Sequence, residues 1–464
     1  MFPRTTFADL SRWHIDPRRK PLIIRGARQV GKSTLVRQWT KAQGLPLFEI
    51  NLERHAKLDA AFERLEIPAL LTELSFACGS QVTAGGVLFL DEIQATPHAL
   101  RALRYLWEER PDLPVIAAGS LLEFAIAAAD FSMPVGRVQH LYLGPLGFTE
   151  FVSALGESDL AELLRSWRIG APFPAAAHQR LTLLLRDYLL VGGMPEAVAA
   201  FSDRRHLADA HAVHLSILDT CRDDFGKYAG RVPLDRLRKV FDHVPAAAGE
   251  KFRCVRAIPE ARAAEVRKAL DLLATAGIVH LVRHSDANGL PLGAEADDSA
   301  FKPLYLDVGL MNAACGVRAL SLEVLHDKKF VNEGRMAEQF VGQNLLAGQE
   351  RARRPSLHYW LREGRTGNAE VDYLMEHDAR VIPVEVKAGA SGGMKSLHQF
   401  MAVKPGHLAV RLDLNPPSSQ DMELLVSSPA GLRPTQYTLH SLPLYMADQV
   451  ERLLADLPSP AGKD

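Results

Sequence analysis

The chain has 464 residues, of which 47% are hydrophobic and 23% are charged, with a formal net charge of -1 at pH 7. This length exceeds one ordinary hydrophobic core and predicts roughly two to four domains, and the composition is typical of a soluble globular protein. The near-zero net charge excludes a uniformly basic surface, so a nucleic-acid site would have to be a local patch.

The cysteines and the apolar segments bear on the cellular compartment in which the protein is expected to lie. Cys78, Cys221, Cys254 and Cys315 are scattered without a close pair, which excludes a disulfide framework or a cysteine metal cluster and fits a reducing environment. The amino end lacks the apolar segment of a signal peptide. The most apolar long stretch, residues 113–129, contains glutamate and glycine and is too short to span a bilayer. We therefore expect a soluble, cytoplasmic protein with no membrane partner.

A glycine-rich loop near the amino end carries the most specific signal. Residues 26–33 have the spacing Gly-x-x-x-x-Gly-Lys-Ser, between an apolar run at 22–24 and a helical pattern. Strand, loop and helix in this order are the context of a phosphate-binding loop, whose backbone N–H groups face a polyphosphate. The predicted ATP-binding residues are Gly26, Ala27, Arg28, Gln29, Val30, Gly31, Lys32, Ser33 and Thr34. The alternative is a glycine turn that binds no ligand.

Individual side chains of this loop have distinct expected roles. Lys32 would reach the terminal phosphates, and the Ser33 hydroxyl would ligate magnesium. Downstream, the apolar run 87–90 ends in Asp91 and Glu92, as in a strand buried on both faces of a parallel sheet. Ligands lie at the carboxyl ends of such strands. Asp91 would then hold magnesium and Glu92 would polarise the attacking water, which favours ATP hydrolysis over binding alone.

Strand-like runs alternate with helical patterns through the first 145 residues, which predicts a parallel sheet covered on both faces. The runs are 22–25, 47–52, 87–91, 114–119 and 140–143. Ser120 follows the fourth run and would sense the γ-phosphate or, alternatively, cap a helix. Arg137 precedes the fifth run and would act as an arginine finger, in its own subunit or in a neighbouring one of a homo-oligomer. The alternative for Arg137 is a solvated surface residue.

The middle of the chain predicts helices and a hairpin. Residues 151–215 are mainly helical and would form a lid on the nucleotide site. Helical patterns at 234–244 and 259–276, a strand at 278–282 and a weak return strand at 290–292 then predict a winged helix. Basic residues on its longer helix would contact double-stranded DNA, or would form an ordinary solvated face. These residues are Arg262, Arg267 and Lys268.

The C-terminal third contains a second group of acidic residues. Glu370 and Asp372 alternate with apolar residues, as do Glu385 and Lys387 farther on. A period of two puts each pair on one face of a strand. Pairing of those faces would join three carboxylates and a lysine, and Glu338, on a helix predicted at 330–346, could add another acid. Such oxygen-rich sites suit magnesium or manganese, which activate water against a phosphodiester. The alternative is a two-stranded ribbon with solvated charges.

Together, these motifs resemble a large prokaryotic family of AAA-type ATPases that carry a C-terminal domain of unknown function with a nuclease-like fold. The motifs lie in family order across residues 20–400, at 26–33, 89–94, 118–122, 136–146, 188–195, 306–310 and 370–387. The resemblance implies that Asp372, Glu385 and Lys387 are the metal-binding and catalytic positions of a PD-(D/E)XK nuclease-like domain, with Glu338 as its helix acid. This sequence departs from that pattern in having no proline beside Asp372.

The predicted fold class is α/β, with a P-loop AAA-like parallel-sheet core at 1–150 and a helical lid at 151–215. A winged-helix-like domain at 216–300, a restriction-endonuclease-like domain at 301–425 and an extension at 426–464 would follow. Two functions fit this division. One is an ATPase that couples nucleotide turnover to action on DNA. The other is a nucleotide-switched signalling scaffold with an inactive nuclease-like binding module.

Overall fold

The computed structural model describes residues 2, 4–120, 122, 136–228, 232–317, 334–363, 368–388, 393–404, 406–428 and 431–457. The described strands form two sheets, one of five strands and one of eight. None of the helices in the described ranges combines the length and apolarity needed to cross a membrane.

The five-stranded sheet is parallel, with the order β2-β3-β4-β1-β5. Its strands are β1 (Leu22–Arg25), β2 (Leu47–Asn51), β3 (Val87–Asp91), β4 (Val115–Ala118) and β5 (Gln139–Tyr142). The predicted parallel α/β core is therefore confirmed. β1 lies between β4 and β5, and β3 lies on the other side of β4. Because the carboxyl ends of parallel strands meet at one edge of the sheet, the loop after β1 lies at the same edge as the end of β3.

Helices cover this sheet on both faces. They are α1 (Thr6–Ile15), α2 (Lys32–Gln43), α3 (Asp59–Arg64), α4 (Ile67–Cys78) and α5 (Pro97–Glu109). Successive strand residues point to opposite faces. Ile24 and Phe89 accordingly pack in one apolar cluster with α1 and α2, whereas Ile23 and Leu88 pack in another with α3, α4 and α5.

A helical segment follows the first sheet, as the sequence predicts. Its members are α6 (Phe148–Ala154), α7 (Ser158–Ser166), α8 (Ala175–Val191), α9 (Pro195–Arg204) and α10 (Leu207–Asp224). The break between α8 and α9 has a steric cause: Gly192 has a φ of 68°, and a Cβ there would collide with the Asp307 carboxylate. Only glycine adopts this conformation and allows this approach without strain.

The eight-stranded sheet has the order β12-β13-β11-β10-β9-β8-β6-β7. Its strands are β6 (Val279–Ser285), β7 (Ala296–Tyr305), β8 (His358–Arg362), β9 (Ala369–His377), β10 (Arg380–Val386), β11 (Leu408–Asp413), β12 (Ser418–Ser428) and β13 (Gly431–Pro443). The helices of this half are α11 (Leu234–Ala247), α12 (Cys254–Ala257), α13 (Ala263–Thr275), α14 (Val308–Ala314), α15 (Gly334–Gly348), α16 (Lys395–Val403) and α17 (Val450–Ala455).

Three details of the middle region differ from the sequence expectation. The return strand expected at 290–292 is wrong: the return strand is β7, after a short 3₁₀ turn at Leu292–Glu295, since Pro291 has no N–H for a ladder. The hairpin of β6 and β7 is also not a separate wing, because β6 pairs with β8. The predicted boundaries at 300 and 425 fall within β7 and β12, so one sheet crosses both.

The C-terminal half packs directly against the first half. The backbone N–H of Phe148 in α6 donates to Asn344 Oδ1 in α15 at 2.7 Å, and that of Thr149 donates to Asp448 Oδ2 at 2.8 Å. Phe148 also contacts the rings of Phe340 and Tyr445. A single apolar cluster thus extends from the parallel sheet into the eight-stranded sheet, so the two halves of the chain share one hydrophobic core.

Candidate nucleotide site and carboxylate centre

The loop between β1 and α2 has the backbone conformation that its glycines permit. Gly26 has a φ of 144°, Gln29 of 61° and Gly31 of 92°. A Cβ at Gly26 would collide with the carbonyl oxygen of Leu143, so no other residue fits there without displacement. Gly31 precedes α2 in a left-handed conformation, and the loop therefore curls over the amino end of α2, where N–H groups face an anion.

Lys32 is held inside the curve of the loop. Its side chain is buried, with 8% of the residue exposed, and Nζ donates to the carbonyl oxygens of Gly26 at 3.0 Å and Ala27 at 2.8 Å. Burial lowers the pKa of the Lys32 ammonium to about 8, although the carboxylates of Glu92 and Asp91 act to raise it. An anionic phosphate against this ammonium would offset the burial penalty, so phosphate binding favours the charged form.

Ser33 and Asp91 meet at the end of β3. The Ser33 hydroxyl donates to Asp91 Oδ2 at 2.7 Å, and Asp91 is only 6% exposed. Burial raises the pKa of Asp91 above its ordinary value, and the hydrogen bond from Ser33 opposes this shift. A hydroxyl and a carboxylate oxygen side by side form the hard donor set that magnesium prefers, so the residues present fit the predicted ion.

Glu92 is fixed by two neighbours at the start of the turn after β3. Its φ of 52° lies in the left-handed region, a strained conformation for glutamate that is concentrated at functional sites. Its Oε2 accepts hydrogen bonds from Gln94 Nε2 at 2.6 Å and from Ser120 Oγ at 3.3 Å. Gly119 makes room for Gln94, because a Cβ there would collide with Oε1 of Gln94. The sequence analysis assigned no role to Gln94, although Gln94 is the last residue of the motif at 89–94.

A cavity of about 720 Å³ lies between the loop and the start of α9. The loop residues that line it are Arg28, Gln29, Gly31, Lys32, Ser33 and Thr34. Glu92 and Ser120 line it from the sheet, and Pro195 and Glu196 line it from α9. The volume is in the range of small-molecule and cofactor sites. The other residues of the loop contribute its backbone; they are Gly26, Ala27 and Val30. The side chain of Val30 is fully buried.

Two arginines connect the loop to other parts of the chain. Arg28 lines the cavity. Its guanidinium also forms an ion pair with Asp224 of α10 at 2.7 Å, which connects the loop to the helical segment. Arg4 pairs with Glu150 at 3.0 Å and donates to the carbonyl oxygen of Val30 at 3.2 Å. Neither pairing was predictable from the sequence, because Asp224 and Glu150 lie far along the chain from their arginines and belong to no motif.

The structure does not bring Arg137 to the loop of its own chain. Arg137 precedes β5, which runs parallel to β1 with Gln139 opposite Leu22. It therefore lies at the amino edge of the sheet, whereas the loop lies at the carboxyl edge. Its Nε pairs with Glu108 Oε1 at 2.8 Å. A role in the site of a neighbouring subunit stays a prediction.

The predicted basic positions on α13 have unequal environments. Arg267 pairs with Asp271 at 2.9 Å and lies over the ring of Phe301 at 4.6 Å, so packing within the domain occupies it. Arg262 and Lys268 are exposed. The carboxyl end of the same helix reaches the nucleotide loop, because a Cβ at Gly277 would lie 3.3 Å from Ala27.

The predicted C-terminal carboxylates do meet, on the side of the sheet where α15 packs. Val386 N–H donates to Asp372 Oδ2 at 2.7 Å, and Lys387 Nζ donates to Glu385 Oε1 at 2.6 Å. Glu338 of α15 faces the same group. Burial, together with the charge of Asp372, raises the pKa of Glu338 to about 8 and of Glu385 to about 7. Burial likewise raises the pKa of Asp372.

A lysine that the sequence did not indicate lies within this group. Lys302 of β7 pairs with Glu370 and lies 3.6 Å from Glu338 Oε2. Burial acts to lower the pKa of Lys302, but the charges of Glu338, Asp372 and Glu370 raise it above its ordinary value. Within the described ranges, no group of three or more histidine, cysteine, aspartate or glutamate side chains has an arrangement that could hold a metal ion.

Three separate parts of the chain match known domain models. Residues 18–152 match a family model described as an AAA domain. Residues 182–321 match a domain of unknown function (DUF8612), and residues 333–421 match another domain of unknown function (DUF4143). The first match supports an AAA-type nucleotide-hydrolysing domain around the loop, whereas the nuclease-like fold of the C-terminal domain stays a prediction.

Curated proteins and solved structures add little to this assignment. No curated protein matches the chain. A solved structure described as "Structural Basis for Katanin Self-Assembly" aligns with 42% of this chain and 61% of its own chain, at 12% sequence identity and a TM-score of 0.22. A TM-score this low does not indicate a shared overall fold.

Proposed function

We propose that this protein is an AAA-type ATPase in which residues 26–34 and Asp91 bind ATP and magnesium and Glu92 positions the attacking water. The observation that carries the proposal is the hydrogen bond between Ser33 and Asp91 beside the buried ammonium of Lys32, at the edge of the cavity. The AAA-domain match over residues 18–152 supports the same activity.

Each residue has one task in this proposal. The loop N–H groups and Lys32 bind the phosphates, and the oxygens of Ser33 and Asp91 would hold the ion. Magnesium, when bound, neutralises charge that develops between the β- and γ-phosphates. Glu92 orients water against the γ-phosphate, while Gln94 and Ser120 fix the orientation of its carboxylate. Leu146, Pro195 and Ala199 add an apolar wall to the cavity.

Replacement of Lys32 by alanine tests nucleotide binding directly. Because one charge-assisted contact to phosphate is lost, we expect ATP affinity to fall by about 10- to 100-fold, with a parallel loss of hydrolysis. Isothermal titration calorimetry of the purified protein with ATP and magnesium measures the affinity. Lys41→Ala is the matched control, because Lys41 is an exposed lysine on the same helix. Equal ATP affinity for Lys32→Ala and wild type would contradict the proposal.

Contacts of the loop with the rest of the chain support coupling of nucleotide turnover to the other domains. Arg28 is bound to Asp224, and Ala27 packs against Gly277 at the end of α13. A change of loop position on phosphate binding would act on both contacts. The hydrophobic core that the two halves share would carry such a change farther, toward the C-terminal residues.

We infer that double-stranded DNA is the substrate on which this coupling acts, and the supporting observation is the exposure of Arg262, which precedes α13, and of Lys268 on α13. The alternative effector is a protein partner, with the ATPase serving as a switched scaffold. The two functions differ in their dependence on salt, because DNA binding through phosphate contacts releases counterions and weakens steeply with salt.

Duplex binding at several salt concentrations separates these functions. For wild type we expect the affinity for a labelled DNA duplex to fall steeply between about 50 and 200 mM salt. Arg262→Ala/Lys268→Ala should reduce the slope of log affinity against log salt by about 2. Arg12→Ala/Lys57→Ala removes equal charge from exposed positions of the first domain and should leave the slope unchanged. If DNA binding is absent or independent of salt, and the protein assembles in the presence of ATP, the result would favour the function of a nucleotide-switched scaffold.

A further inference from the structure

The carboxylate centre of the eight-stranded sheet contains more negative than positive side chains. Glu338 comes from α15, Glu370 and Asp372 from β9, and Glu385 from β10. Lys387 pairs with Glu385 alone within this group. Carboxylates at close range cannot all be charged without a cation, so Glu338, Glu370 and Asp372 must either be protonated or face another positive group.

Lys302 supplies that cation from the edge strand of the sheet. β7 is the last strand in the order, and Lys302 is only 3% exposed on it. Its Nζ pairs with Glu370, lies 3.6 Å from Glu338 Oε2 and stands 5.1 Å from the ring centroid of Tyr359. An ammonium surrounded by two carboxylates and an aromatic face is a fully satisfied buried cation.

The remaining carboxylate oxygens show how this centre differs from a metal site. Asp372 Oδ2 accepts the backbone N–H of Val386, and Glu385 Oε1 accepts Lys387. Glu385, only 4% exposed, has an Oε2 atom that is buried without a hydrogen-bond partner in the described part of the chain. One oxygen of each of the four carboxylates thus faces an N–H group or an ammonium. No group of three or more of these acids in the described part of the chain has an arrangement that could hold a metal ion.

We propose that Lys302 is an intramolecular cation that neutralises the carboxylate centre and excludes a divalent metal ion from it. The residues that would be metal ligands in a nuclease are present, but the Lys302 ammonium lies against two of the carboxylates, Glu370 and Glu338. In this arrangement the C-terminal domain is not a metal-dependent phosphodiesterase. Removal of the Lys302 charge should convert the same carboxylates into a divalent-cation site, since oxygen-rich clusters take manganese readily.

Manganese binding to nucleotide-free protein, measured by electron paramagnetic resonance of the free ion, tests this proposal. We expect wild type and Asp372→Asn to bind the same amount of Mn²⁺, because the centre is closed in both. Lys302→Met should bind about one additional Mn²⁺ per chain, and Lys302→Met/Asp372→Asn should lose it again. Any binding at Ser33 and Asp91 is common to all four proteins and cancels in the comparison.

Two further variants control for charge and for loss of structure. Lys302→Arg keeps the positive charge and should bind no additional Mn²⁺, whereas Lys395→Met removes an exposed lysine and should resemble wild type. Thermal unfolding with and without Mn²⁺ shows whether Lys302→Met is folded. If Lys302→Met is not folded, the comparison of wild type with Asp372→Asn still tests the proposal. Less Mn²⁺ bound to Asp372→Asn than to wild type would overturn the proposal.

Two other results would also overturn it. One is a folded Lys302→Met protein that binds no more Mn²⁺ than wild type, because the ammonium would then not be what excludes the ion. The other is Mn²⁺-dependent cleavage of plasmid by wild type that Lys387→Ala abolishes, because the centre would then accept a metal with Lys302 in place. These readouts use no ATP, so they are independent of whether the proposed ATPase activity is correct.

Discussion

Glu92→Gln is expected to reduce ATP hydrolysis by about 100-fold or more while ATP binding is retained. The amide has the shape of the carboxylate but cannot accept a proton from, or strongly polarise, the attacking water. Glu92 makes no hydrogen bond to Lys32 or Ser33 among those described, and its charge acts on Lys32 only by favouring the protonated ammonium. Bound phosphates would supply that negative charge themselves, so we expect ATP binding to be retained. Steady-state phosphate release measures hydrolysis, and calorimetry with ATP measures binding.

The exposed end of α5 provides a matched control for this prediction. Glu109→Gln makes the same chemical change at an exposed position outside the cavity and should leave both measurements at the wild-type level. The assignment of Glu92 would be wrong if Glu92→Gln released phosphate at the wild-type rate. A loss of ATP binding equal to the loss of hydrolysis would assign Glu92 to binding instead.

The nucleotide site was predictable because its determinants are local. The loop is a continuous segment whose glycines fix its backbone, so Gly26 and Gly31 predict their own conformations. Asp91 lies beside Ser33, as expected of a residue that ends a continuous apolar strand in a parallel sheet, and its role in holding magnesium stays a prediction. The orientation of Glu92 was not predictable, since it depends on Gln94 and Ser120, and only Ser120 was singled out in the sequence.

The second sheet shows where prediction from the sequence stops. Period-two alternation predicted strands around Glu370 and Glu385, and both strands are present. The pairing of β6 with β8 consists of only two residue pairs in the described part of the chain, Arg283 with His358 and His284 with Tyr359. No periodic pattern encodes such an edge contact, so the continuity of the sheet across the middle region could not be foreseen.

Lys302 illustrates the same limit at the level of one side chain. In the sequence it is a lysine beside Pro303, with nothing to distinguish it from a solvated residue. Its partners lie on β9 and α15, and they reach it only after the edge strand β7 has joined the sheet. The charge balance of the carboxylate centre is therefore a property of the tertiary structure, whereas the identity of its acids is a property of the local pattern.

Asp307→Ala is expected to lower the free energy of unfolding by roughly 3–5 kcal/mol. Asp307 is fully buried. Its Oδ1 accepts the N–H groups of Gly309 and Leu310 at the start of α14, at 3.0 and 3.1 Å. Its Oδ2 accepts Gly193 N–H at 2.6 Å and Gln343 Nε2 at 2.8 Å. Alanine would remove the helix cap and leave four donors without this acceptor.

Differential scanning calorimetry should place the first unfolding transition of Asp307→Ala several degrees below that of wild type. Asp297→Ala is the control, because Asp297 caps an exposed turn of β7 through Ser299 and should shift the transition little. Gly193 lies just before Pro195, which lines the nucleotide cavity, so the same substitution should also weaken ATP binding. Equal transitions for the two variants would contradict the role of Asp307, since a buried carboxylate with four donors cannot be removed without cost unless the donors find other partners.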